Sequence, residues 1–376
     1  MNEKFFDGKA FDEKSSLLGI ALRENNAKRR FLICNKRQAK HIPADPRVTL
    51  EYFGELGKLV VGCHQGERTL VVGFAETATA VGAAVADCLC SVRSDVAYCH
   101  TSRESLPREA LVAEFFEEHS HAVNQALYLD GFDIREFGRI VFVEDEVTTG
   151  NTILNFLAVL RGKKLLAERV RITVAALVFG DIDKTKFNRY DVDFCCLARV
   201  DASALSVPDP GGNVVKTQFY DEVHDAPPET RLPGMMNPRL GVSMTEYKGR
   251  CVKFAEDVVD FMDIRAKNVL VIGTEEFMYP ALLVAAKAEE SALSVRCHST
   301  TRTPIVPLSL PGYPITARVA LRSLYDAERR AYLYNLAAYD SVILVTDAKE
   351  LSGGERGLYR ALFDCGNTDI RLARWI

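Results

Sequence analysis

The amino-acid sequence predicts an α/β protein in which a parallel-sheet domain is followed by a second α/β domain. Short apolar runs end in loops of small residues and continue into helical patterns, as at 69–89 and 139–157. Strands that alternate with helices in this way are typical of parallel sheets. A second observation is that these elements recur about 200 residues later in the same order. Recurrence of that kind indicates a duplicated fold.

The length and composition set limits on the class of protein. A chain of 376 residues is long enough for two domains, each with its own core. We predict a first domain at 1–200 with a polar lead at 1–30, a Pro/Gly-rich connector at 201–247 with a short strand at 214–220, and a second domain at 248–376.

A net charge of −4 gives no electrostatic reason to expect nucleic acid or a membrane surface as a partner. The ten cysteines lack CxxC and paired metal spacings, which fits reduced thiols. We therefore expect a cytoplasmic protein that is not bound to membranes.

The most informative stretch is 139–157, which reads RIVFVEDEVTTGNTILNFL. Four apolar residues of a buried strand are followed by Glu144 and Asp145, then by a Thr/Gly loop and an apolar helical run. A loop of this kind at the start of a helix directs backbone N–H groups and hydroxyls at an anion, so it predicts a phosphate site. The two carboxylates would repel a phosphate and suit hydroxyls, a developing cation or a hydrated metal. A sugar phosphate has both a phosphate for the loop and hydroxyls for the carboxylates. The alternative is an ordinary strand-to-helix turn with Thr as N-cap.

At these residues the sequence resembles the type I phosphoribosyltransferases, in which an apolar strand precedes two acids, two mostly apolar residues and Thr-Thr-Gly or Thr-Ala-Gly. The resemblance implies a Rossmann-like parallel-sheet domain and phosphoribosyl pyrophosphate as substrate. It also implies that Glu144 and Asp145 face the ribose hydroxyls and take part in binding Mg²⁺. Glu146 departs from the family, which usually has an apolar residue there. By the same resemblance, the residues that hold the 5'-phosphate are Thr148, Thr149, Gly150, Asn151 and Thr152.

The loop at 73–79 follows an earlier buried strand, Leu70–Val72, and precedes an Ala-rich helix. Small residues allow a ligand to approach the backbone, and Thr77 is a candidate helix cap. The resemblance implies that this is the pyrophosphate loop, with candidate contacts from Gly73, Glu76, Thr77, Ala78 and Thr79.

Arg103 follows the next predicted strand, Val96–Cys99. Orotate phosphoribosyltransferases have Arg-Lys-Glu after the corresponding strand, and by that similarity Arg103 is a candidate ligand of pyrophosphate and the enzyme is orotate phosphoribosyltransferase-like. A guanidinium suits this role because its donors are bidentate. The alternative is a surface salt bridge to a neighbouring acid.

The segment between this strand and the acidic motif is predicted to be helical, with Phe115, Phe116, His119, Val123 and Leu127 on one face. His119 and His121 diverge on a helix, which argues against one zinc ion bound by both. In phosphoribosyltransferases, a catalytic loop closes from this part of the chain. Each histidine is therefore a candidate general acid, base or pyrophosphate donor, with helix packing as the alternative. After the acidic motif, strands at 170–178 and 193–197 complete a parallel sheet of about five.

Near the N-terminus, a predicted strand at Phe31–Cys34 is followed by the basic residues Lys36, Lys40 and His41. In the resembling family, the N-terminal segment often forms a hood over the nucleobase. These three side chains are therefore candidates to contact the acceptor or pyrophosphate, and a solvated basic loop is the alternative.

The second half of the chain repeats the first in a degenerate form. Thr346 precedes Asp347 where the first copy has its two acids, and 351–354 replaces the phosphate loop. We therefore expect the second copy not to transfer phosphoribose. The matched segments are 70–79 with 270–279, 97–104 with 295–302, and 139–145 with 341–347.

The sequence at 300–304, TTRTP, is similar to the Thr-Arg-Ser-Pro signature of a domain that follows phosphoribosyltransferase domains, with Thr303 in place of Ser. This resemblance is to the phosphoribosyltransferase-like family of tellurium-resistance and stress gene clusters. Thr300, Thr301 and Arg302 are candidate ligands for a phosphate or carboxylate of the second substrate. A structural loop is the alternative.

Together these features predict a Mg²⁺-dependent transferase that uses phosphoribosyl pyrophosphate and an unidentified base-like acceptor. Two other classes stay open: a sensor that binds phosphoribosyl pyrophosphate without consuming it, and a phosphoribosyl hydrolase. The sequence has no helix-turn-helix pattern to support a regulator. It leaves the acceptor unnamed and a homodimer open.

Overall fold

A computed structural model describes the chain over most of its length. For 3–5 only the backbone is described. The described residues are 3–5, 17–24, 26, 30–63, 66–115, 125–201, 206–220, 225–262 and 267–376.

Strands and helices alternate along the described chain. The strands are β1 (Glu3–Phe5), β2 (Leu18–Leu22), β3 (Phe31–Asn35), β4 (Thr69–Gly73), β5 (Val96–His100), β6 (Leu111–Phe115), β7 (Gln125–Tyr128), β8 (Arg139–Val147), β9 (Arg171–Phe179), β10 (Val192–Arg199), β11 (Gln218–Tyr220), β12 (Glu229–Leu232), β13 (Val242–Ser243), β14 (Asn268–Gly273), β15 (Ser294–Ser299), β16 (Arg318–Arg322), β17 (Arg330–Tyr334), β18 (Ser341–Thr346) and β19 (Ile370–Trp375). The helices are α1 (Pro46–Val61), α2 (Thr79–Cys90), α3 (Asn151–Gly162), α4 (Met244–Met262), α5 (Tyr279–Ala288) and α6 (Gly354–Asp364).

The chain divides into two compact units. Unit 1 comprises Met1–Lys14, Glu51–Leu205 and Met236–Gly249, and unit 2 comprises Ser15–Leu50, Ser206–Met235 and Arg250–Ile376. This division groups the 15–50 segment with the second half of the chain, unlike the predicted ranges. The domain boundaries at 1–200, 201–247 and 248–376 stay predictions.

Unit 1 is built on a seven-stranded sheet in the order β1-β10-β9-β8-β4-β5-β13. All neighbours pair in parallel except β13, which runs antiparallel to β5. The central strands are apolar over most of their length because both faces of a parallel sheet are covered. The predicted α/β class with a parallel sheet of about five strands is therefore confirmed, with β1 and β13 as additional edges.

The predicted helix over the 115–127 region is wrong at its described ends. Leu111–Phe115 and Gln125–Tyr128 are strands that pair antiparallel, with Phe115 opposite Gln125. The residues LVAEF alternate in burial, with Ala113 and Phe115 buried and Glu114 exposed, which is strand periodicity. Phe115 stacks on Phe156 of α3 with ring centroids 4.2 Å apart, so the hairpin is held by the core of unit 1.

Unit 2 contains a five-stranded parallel sheet in the order β12-β19-β18-β14-β15. Two smaller sheets, β11-β16-β17 and β2-β3, belong to the same unit. The strand predicted at 31–34 is confirmed as β3, and its Leu32 and Cys34 pack in a cluster with Ile305 and Tyr334. No helix in the described ranges is both long and apolar enough to cross a membrane.

The two parallel sheets share one arrangement. In unit 1, Gly73 at the end of β4 pairs with His100 on β5 and Val143 on β8. In unit 2, Gly273 at the end of β14 pairs with Ser299 on β15 and Val345 on β18. The structural match therefore sets His100 against Ser299, one residue away from the alignment of the sequences 97–104 and 295–302.

His298 lies wholly buried in β15, and its Nε2 lies 2.8 Å from the carbonyl oxygen of Tyr334. Burial, aided by the Lys40 ammonium, lowers the pKa of His298 to about 4, against about 6.5 in an unfolded chain. Between these values the unfolded state binds more protons, so the free energy of unfolding falls as the pH falls.

We therefore expect His298 to reduce the free energy of unfolding by about 2 kcal/mol between pH 7 and pH 5. Urea titrations of the wild type and His298→Asn across this range measure the difference. The variant should be less stable at pH 7 but should lack this part of the slope. Parallel curves for the two proteins would contradict the prediction.

Candidate active site

Three of the predicted binding segments meet at the carboxyl edge of the unit 1 sheet. The backbone N–H of Phe74 donates to the carbonyl of Val143 (2.9 Å), and that of Thr101 donates to the carbonyl of Gly73 (2.9 Å). The loops after β4, β5 and β8 thus start from adjacent points. This is the edge at which open α/β sheets bind their ligands.

The acidic segment lies within β8, which continues through Glu144 and Asp145 to Val147. Both acids are half-buried. Thr77 donates its hydroxyl to Oδ1 of Asp145 over 2.7 Å, which joins the loop after β4 to the acidic segment. The prediction that Thr77 caps the following helix is wrong, because the N-cap of α2 is Ala78 and makes no side-chain cap bond.

The predicted phosphate loop runs from Thr148 to Thr152 and leads into α3. The N-cap of α3 is Gly150, at φ 77°, and it makes no side-chain cap bond. The alternative of an ordinary strand-to-helix turn with Thr as N-cap is therefore wrong. A Cβ at Gly150 would lie 3.1 Å from the ring of Phe187, and L-residues rarely adopt this φ. Asn151 donates its N–H to the exposed Thr149 hydroxyl over 3.4 Å. The first N–H groups of a helix have no carbonyl partner within it, so this end of α3 suits an anion.

The loop at 73–79 is held from two sides. Gly73 approaches Gly82 of α2 so closely that a Cβ on Gly82 would lie 2.8 Å from the Cα of Gly73. On the other side, the Thr101 hydroxyl accepts the N–H of Ala75 (2.8 Å), and Gln125 donates Nε2 to the carbonyl of Ala75 (2.9 Å). Glu76 of the same loop is buried. These contacts hold the loop against α2 on one side and against Thr101 and Gln125 on the other.

Arg103 is half-buried and follows Ser102 at the same edge. Ser102 forms two backbone hydrogen bonds with Ala126 of β7, of 2.9 and 3.0 Å, and its hydroxyl accepts the N–H of Glu104 (3.0 Å). These bonds fix the backbone on which the Arg103 side chain stands. Its predicted role as a pyrophosphate ligand stays a prediction.

The same edge can be tested for a metal. In the part of the chain that the structure describes, no three His, Cys, Asp or Glu side chains converge as a metal site would need. Mg²⁺ in phosphate chemistry is usually held by one or two carboxylates, with the remaining ligands from substrate phosphates and water. Glu144 and Asp145 lie near the end of β8, just before the predicted phosphate loop, so the one or two carboxylates that such an ion needs are present there.

The corresponding edge of unit 2 is filled by its own side chains. Gly353, at φ 96°, is the N-cap of α6 as Gly150 is of α3. The N–H of Gly353 is accepted by Oε2 of the buried Glu355 over 3.0 Å. A carboxylate of the chain itself thus lies at the N-terminus of α6, which corresponds to the predicted phosphate loop of unit 1. Asp347 accepts the hydroxyl of Tyr325 over 2.6 Å.

Arg302 is paired with carboxylates at this edge. It forms ion pairs with the buried Glu275 and, at 3.8 Å, with Glu276. Arg329 approaches Glu275 to 3.2 Å. The Thr300 hydroxyl accepts the N–H of Glu275 over 3.1 Å, and Thr301 pairs with Tyr332 through its backbone. The predicted anion ligands of this loop therefore lie in a network of internal polar contacts.

The basic residues after β3 also belong to unit 2. Lys40 is buried and donates to the carbonyls of Glu275 (2.6 Å) and Thr300 (3.2 Å) and to the Ser299 hydroxyl (3.2 Å). His41 lies edge-on to the ring of Tyr334 with centroids 6.2 Å apart, and Lys36 is exposed. Their predicted contacts with an acceptor stay predictions, as do the roles of His119 and His121, which lie outside the described residues.

Three side-chain contacts that hold the loops after β4 and β14 were not predicted from the sequence. They are made by Gln125, by the buried Lys40 and by Glu275. Gln125 follows the undescribed 116–124 segment, and Lys40 contacts a loop 235 residues further along the chain. Only the position of Glu275 carried a signal, because it lies in a repeat of the 73–79 loop. The partners of a buried polar side chain depend on long-range packing that spacing in the sequence does not encode.

The comparison with protein families decides the family. A profile described as "Phosphoribosyl transferase" matches 17–205, half of the chain. The chain belongs to this phosphoribosyltransferase family. The profile of the "TRSP domain C terminus to PRTase_2" matches 237–362, so this phosphoribosyltransferase also carries that C-terminal domain. No curated protein matches.

Similar solved structures include three purine phosphoribosyltransferases. Adenine phosphoribosyltransferase from Rhodothermus marinus is 11% identical, with 52% of this chain and 100% of that chain covered and a TM-score of 0.38. The adenine enzyme from Trypanosoma brucei, in complex with AMP, pyrophosphate and ribose-5-phosphate, is 12% identical, with coverage of 55% and 87% and a TM-score of 0.37. A hypoxanthine phosphoribosyltransferase from Staphylococcus aureus is 15% identical, with coverage of 41% and 73% and a TM-score of 0.27.

Proposed function

We propose that this protein is a Mg²⁺-dependent transferase that moves phosphoribose from phosphoribosyl pyrophosphate to a base-like acceptor. The observation that carries the proposal is the hydrogen bond from Thr77 to Asp145. It joins the proposed pyrophosphate loop to the proposed ribose acids, which come just before the proposed phosphate loop in the chain. Each loop suits one part of a single sugar phosphate substrate.

The reaction breaks the bond from C1 of the ribose to a pyrophosphate oxygen, which leaves with the electron pair, and forms a bond from C1 to a ring nitrogen of the acceptor. The ribose gains oxocarbenium character on the way, as in glycoside cleavage. Fixed carboxylates of Glu144 and Asp145 beside the ribose hydroxyls stabilise that charge without reorganising. The loop from Thr148 to Thr152 anchors the 5'-phosphate, while Arg103 and the 73–79 loop hold the leaving group.

Glu144 and Asp145 would hold Mg²⁺ together with substrate oxygens and water, and the ion would neutralise charge on the departing pyrophosphate. His119 or His121 is proposed as general acid or base. The acceptor is proposed only as a class, a nucleobase or a similar ring nitrogen compound. An orotate-like preference has no support beyond the position of Arg103. A cytoplasmic role in a tellurium-resistance or stress pathway is likewise part of the proposal.

Unit 2 is proposed to bind no phosphoribosyl pyrophosphate. Glu355 takes the position at the start of α6 that a phosphate would need, and a second anion there would be repelled. Glu275 likewise pairs with Arg302, the residue that corresponds to Arg103. The protein should therefore bind one substrate molecule per chain.

Calorimetric titration with phosphoribosyl pyrophosphate, with and without Mg²⁺, tests the proposal. We expect one Mg²⁺-dependent site per chain and about 10- to 150-fold weaker binding in Thr149→Ala, because a hydrogen bond to a charged group contributes about 1.5–3 kcal/mol. Ser352→Ala, in the matching loop of unit 2, is the control and should bind as the wild type does.

Release of pyrophosphate with a panel of nucleobases then separates the three classes. A transferase releases pyrophosphate when the right acceptor is present. A hydrolase consumes the substrate without one, and a sensor binds it unchanged. Absence of binding in the wild type, with or without nucleobases, would overturn the proposal.

A further inference from the structure

One residue of the 73–79 loop, Ala75, has both of its backbone polar groups held by buried side chains. Ala75 donates its N–H to the Thr101 hydroxyl over 2.8 Å, and its carbonyl accepts Nε2 of Gln125 over 2.9 Å. Thr101 in turn donates its hydroxyl to Oε1 of Gln125. Thr101 and Gln125 are both almost wholly buried. Thr101, Gln125 and Ala75 therefore form a closed set of three hydrogen bonds, which we call the Ala75 clamp.

Unit 2 holds both backbone polar groups of the corresponding residue, Glu275, in a similar way. Glu275, 200 positions after Ala75, donates its N–H to the Thr300 hydroxyl (3.1 Å), and its carbonyl accepts Nζ of Lys40 (2.6 Å). Thr300 matches Thr101, because each donates its N–H to the carbonyl of the glycine that ends β4 in unit 1 or β14 in unit 2.

The donor to the carbonyl, however, comes from a different place in the two units. Ala126 pairs with Ser102 in unit 1 as Tyr332 pairs with Thr301 in unit 2, so the position of Gln125 corresponds to Ala331. Alanine has no donor, and Lys40 supplies one instead. Retention of the contact by a different residue indicates that the contact itself matters to this loop.

We infer that Gln125 is a positioning residue for the pyrophosphate loop of unit 1, and that Lys40 fixes the corresponding loop of unit 2. This inference rests on the proposed function for its ligand. The clamp sets the orientation of the two peptide groups on either side of Ala75, and the hydroxyl of Thr77, which follows in the same loop, bonds to Asp145. Without Gln125, the carbonyl of Ala75 would be buried without its donor, and the loop would relax toward water. A relaxed loop must be ordered again by the ligand, which weakens binding.

Two substitutions separate the halves of the contact. Gln125→Met keeps the volume and removes both donor and acceptor, whereas Gln125→Glu keeps the acceptor for Thr101 and removes the donor to Ala75. The probes are inorganic pyrophosphate with Mg²⁺ and ribose 5-phosphate, each titrated calorimetrically. We expect Gln125→Met to weaken pyrophosphate binding about 10-fold, because the buried carbonyl of Ala75 loses its donor, and to change ribose 5-phosphate binding less than twofold. Gln125→Glu should weaken pyrophosphate binding at least as much as Gln125→Met, because its carboxylate would face the buried carbonyl oxygen of Ala75.

Hydrogen exchange of the amides of 74–78 in the ligand-free protein gives a readout that does not depend on the ligand. Exchange should be faster in Gln125→Met than in the wild type, and exchange at 274–278 should be faster in Lys40→Met. Unchanged exchange at 74–78 in Gln125→Met would overturn the clamp.

The ligand readout separates failure of this inference from failure of the proposed function. Equal weakening of both probes would assign Gln125 a general structural role and overturn its positioning role. If the wild type binds neither probe, the proposed function fails and the positioning role fails with it, while the exchange data still decide whether the clamp exists.

Discussion

Asp193→Ala is expected to reduce the free energy of unfolding by about 3–5 kcal/mol, because it leaves a buried guanidinium without its carboxylate. Arg139 is wholly buried at the start of β8, and its Nη2 lies 3.0 Å from Oδ2 of Asp193 on β10. Arg139 also donates to the Thr173 hydroxyl and to the carbonyl of Cys63. Its remaining bonds would hold the charge in place without neutralising it.

The neighbouring acid Asp191 gives a matched control. Its carboxylate lies 3.8 Å from Arg171 and its side chain is 73% exposed, against 5% for Asp193. An exposed pair of this kind contributes about 1 kcal/mol or less, so Asp191→Ala should be near neutral. The double variant Arg139→Met with Asp193→Ala should recover part of the loss, since it removes both buried charges. Chemical denaturation measures all three, and equal stability of the two single variants would contradict the prediction.

This ion pair is remote from the proposed chemistry, although one strand serves both. Arg139 begins β8 and the acids Glu144 and Asp145 lie near its carboxyl end. At a temperature where Asp193→Ala is folded, its titration with phosphoribosyl pyrophosphate should resemble that of the wild type. The amino ends of these strands support the fold, whereas the carboxyl ends carry the site.

The sequence was sufficient for those features that local pattern determines. Apolar runs followed by small residues predicted β4, β5, β8, β9 and β10, and the Thr/Gly loop predicted the start of α3. The repeat at an offset of about 200 residues predicted a second sheet, and the common strand order bears this out. Each of these signals lies within about 20 residues of chain, where spacing and residue type are enough.

Features that depend on distant packing were not predictable in this way. The hairpin of β6 and β7 was misread as a helix because its apolar residues also fit a helical face, and pairing with a partner strand decided between the two. Thr77 had the residue type and position of a helix cap, yet the hydroxyl bonds to Asp145, 68 residues away. The burial of Arg139 likewise depends on Asp193 from another strand. In each case the partner, not the local pattern, determines the role.

Under the proposed function, the second unit illustrates how a binding edge can lose its ligand while keeping its fold. Gly353 preserves the left-handed turn into α6, and Gly273 preserves the close approach of strand and helix. The changes are in charge: Thr346 stands at the position of Glu144, Glu355 accepts the N–H of Gly353, and Glu275 pairs with the guanidinium of Arg302. Folding constraints and binding constraints therefore lie on different residues of the same edge, which makes unit 2 a source of matched controls for unit 1.

Asp145→Asn is the substitution for which we expect the largest loss of activity, and unit 2 supplies its control. The amide is nearly isosteric, and its oxygen can still accept the Thr77 hydroxyl, so the loop geometry should be retained. The negative charge that we propose to stabilise the ribosyl cation is lost, and removal of one such preorganised group typically slows a reaction about 10²–10³-fold. Because that charge acts mainly in the transition state, binding of phosphoribosyl pyrophosphate should weaken less than about 10-fold.

Single-turnover release of pyrophosphate, measured with the nucleobase that supports the wild-type reaction, tests this expectation. Asp347→Asn is the matched variant. Asp347 occupies the position of unit 2 that corresponds to Asp145, and it accepts a hydroxyl from Tyr325 as Asp145 accepts one from Thr77. It should leave the rate unchanged. A rate for Asp145→Asn close to that of the wild type would assign the carboxylate to loop structure alone. The charge that favours the transition state would then have to come from Glu144, and Glu144→Gln would become the decisive variant.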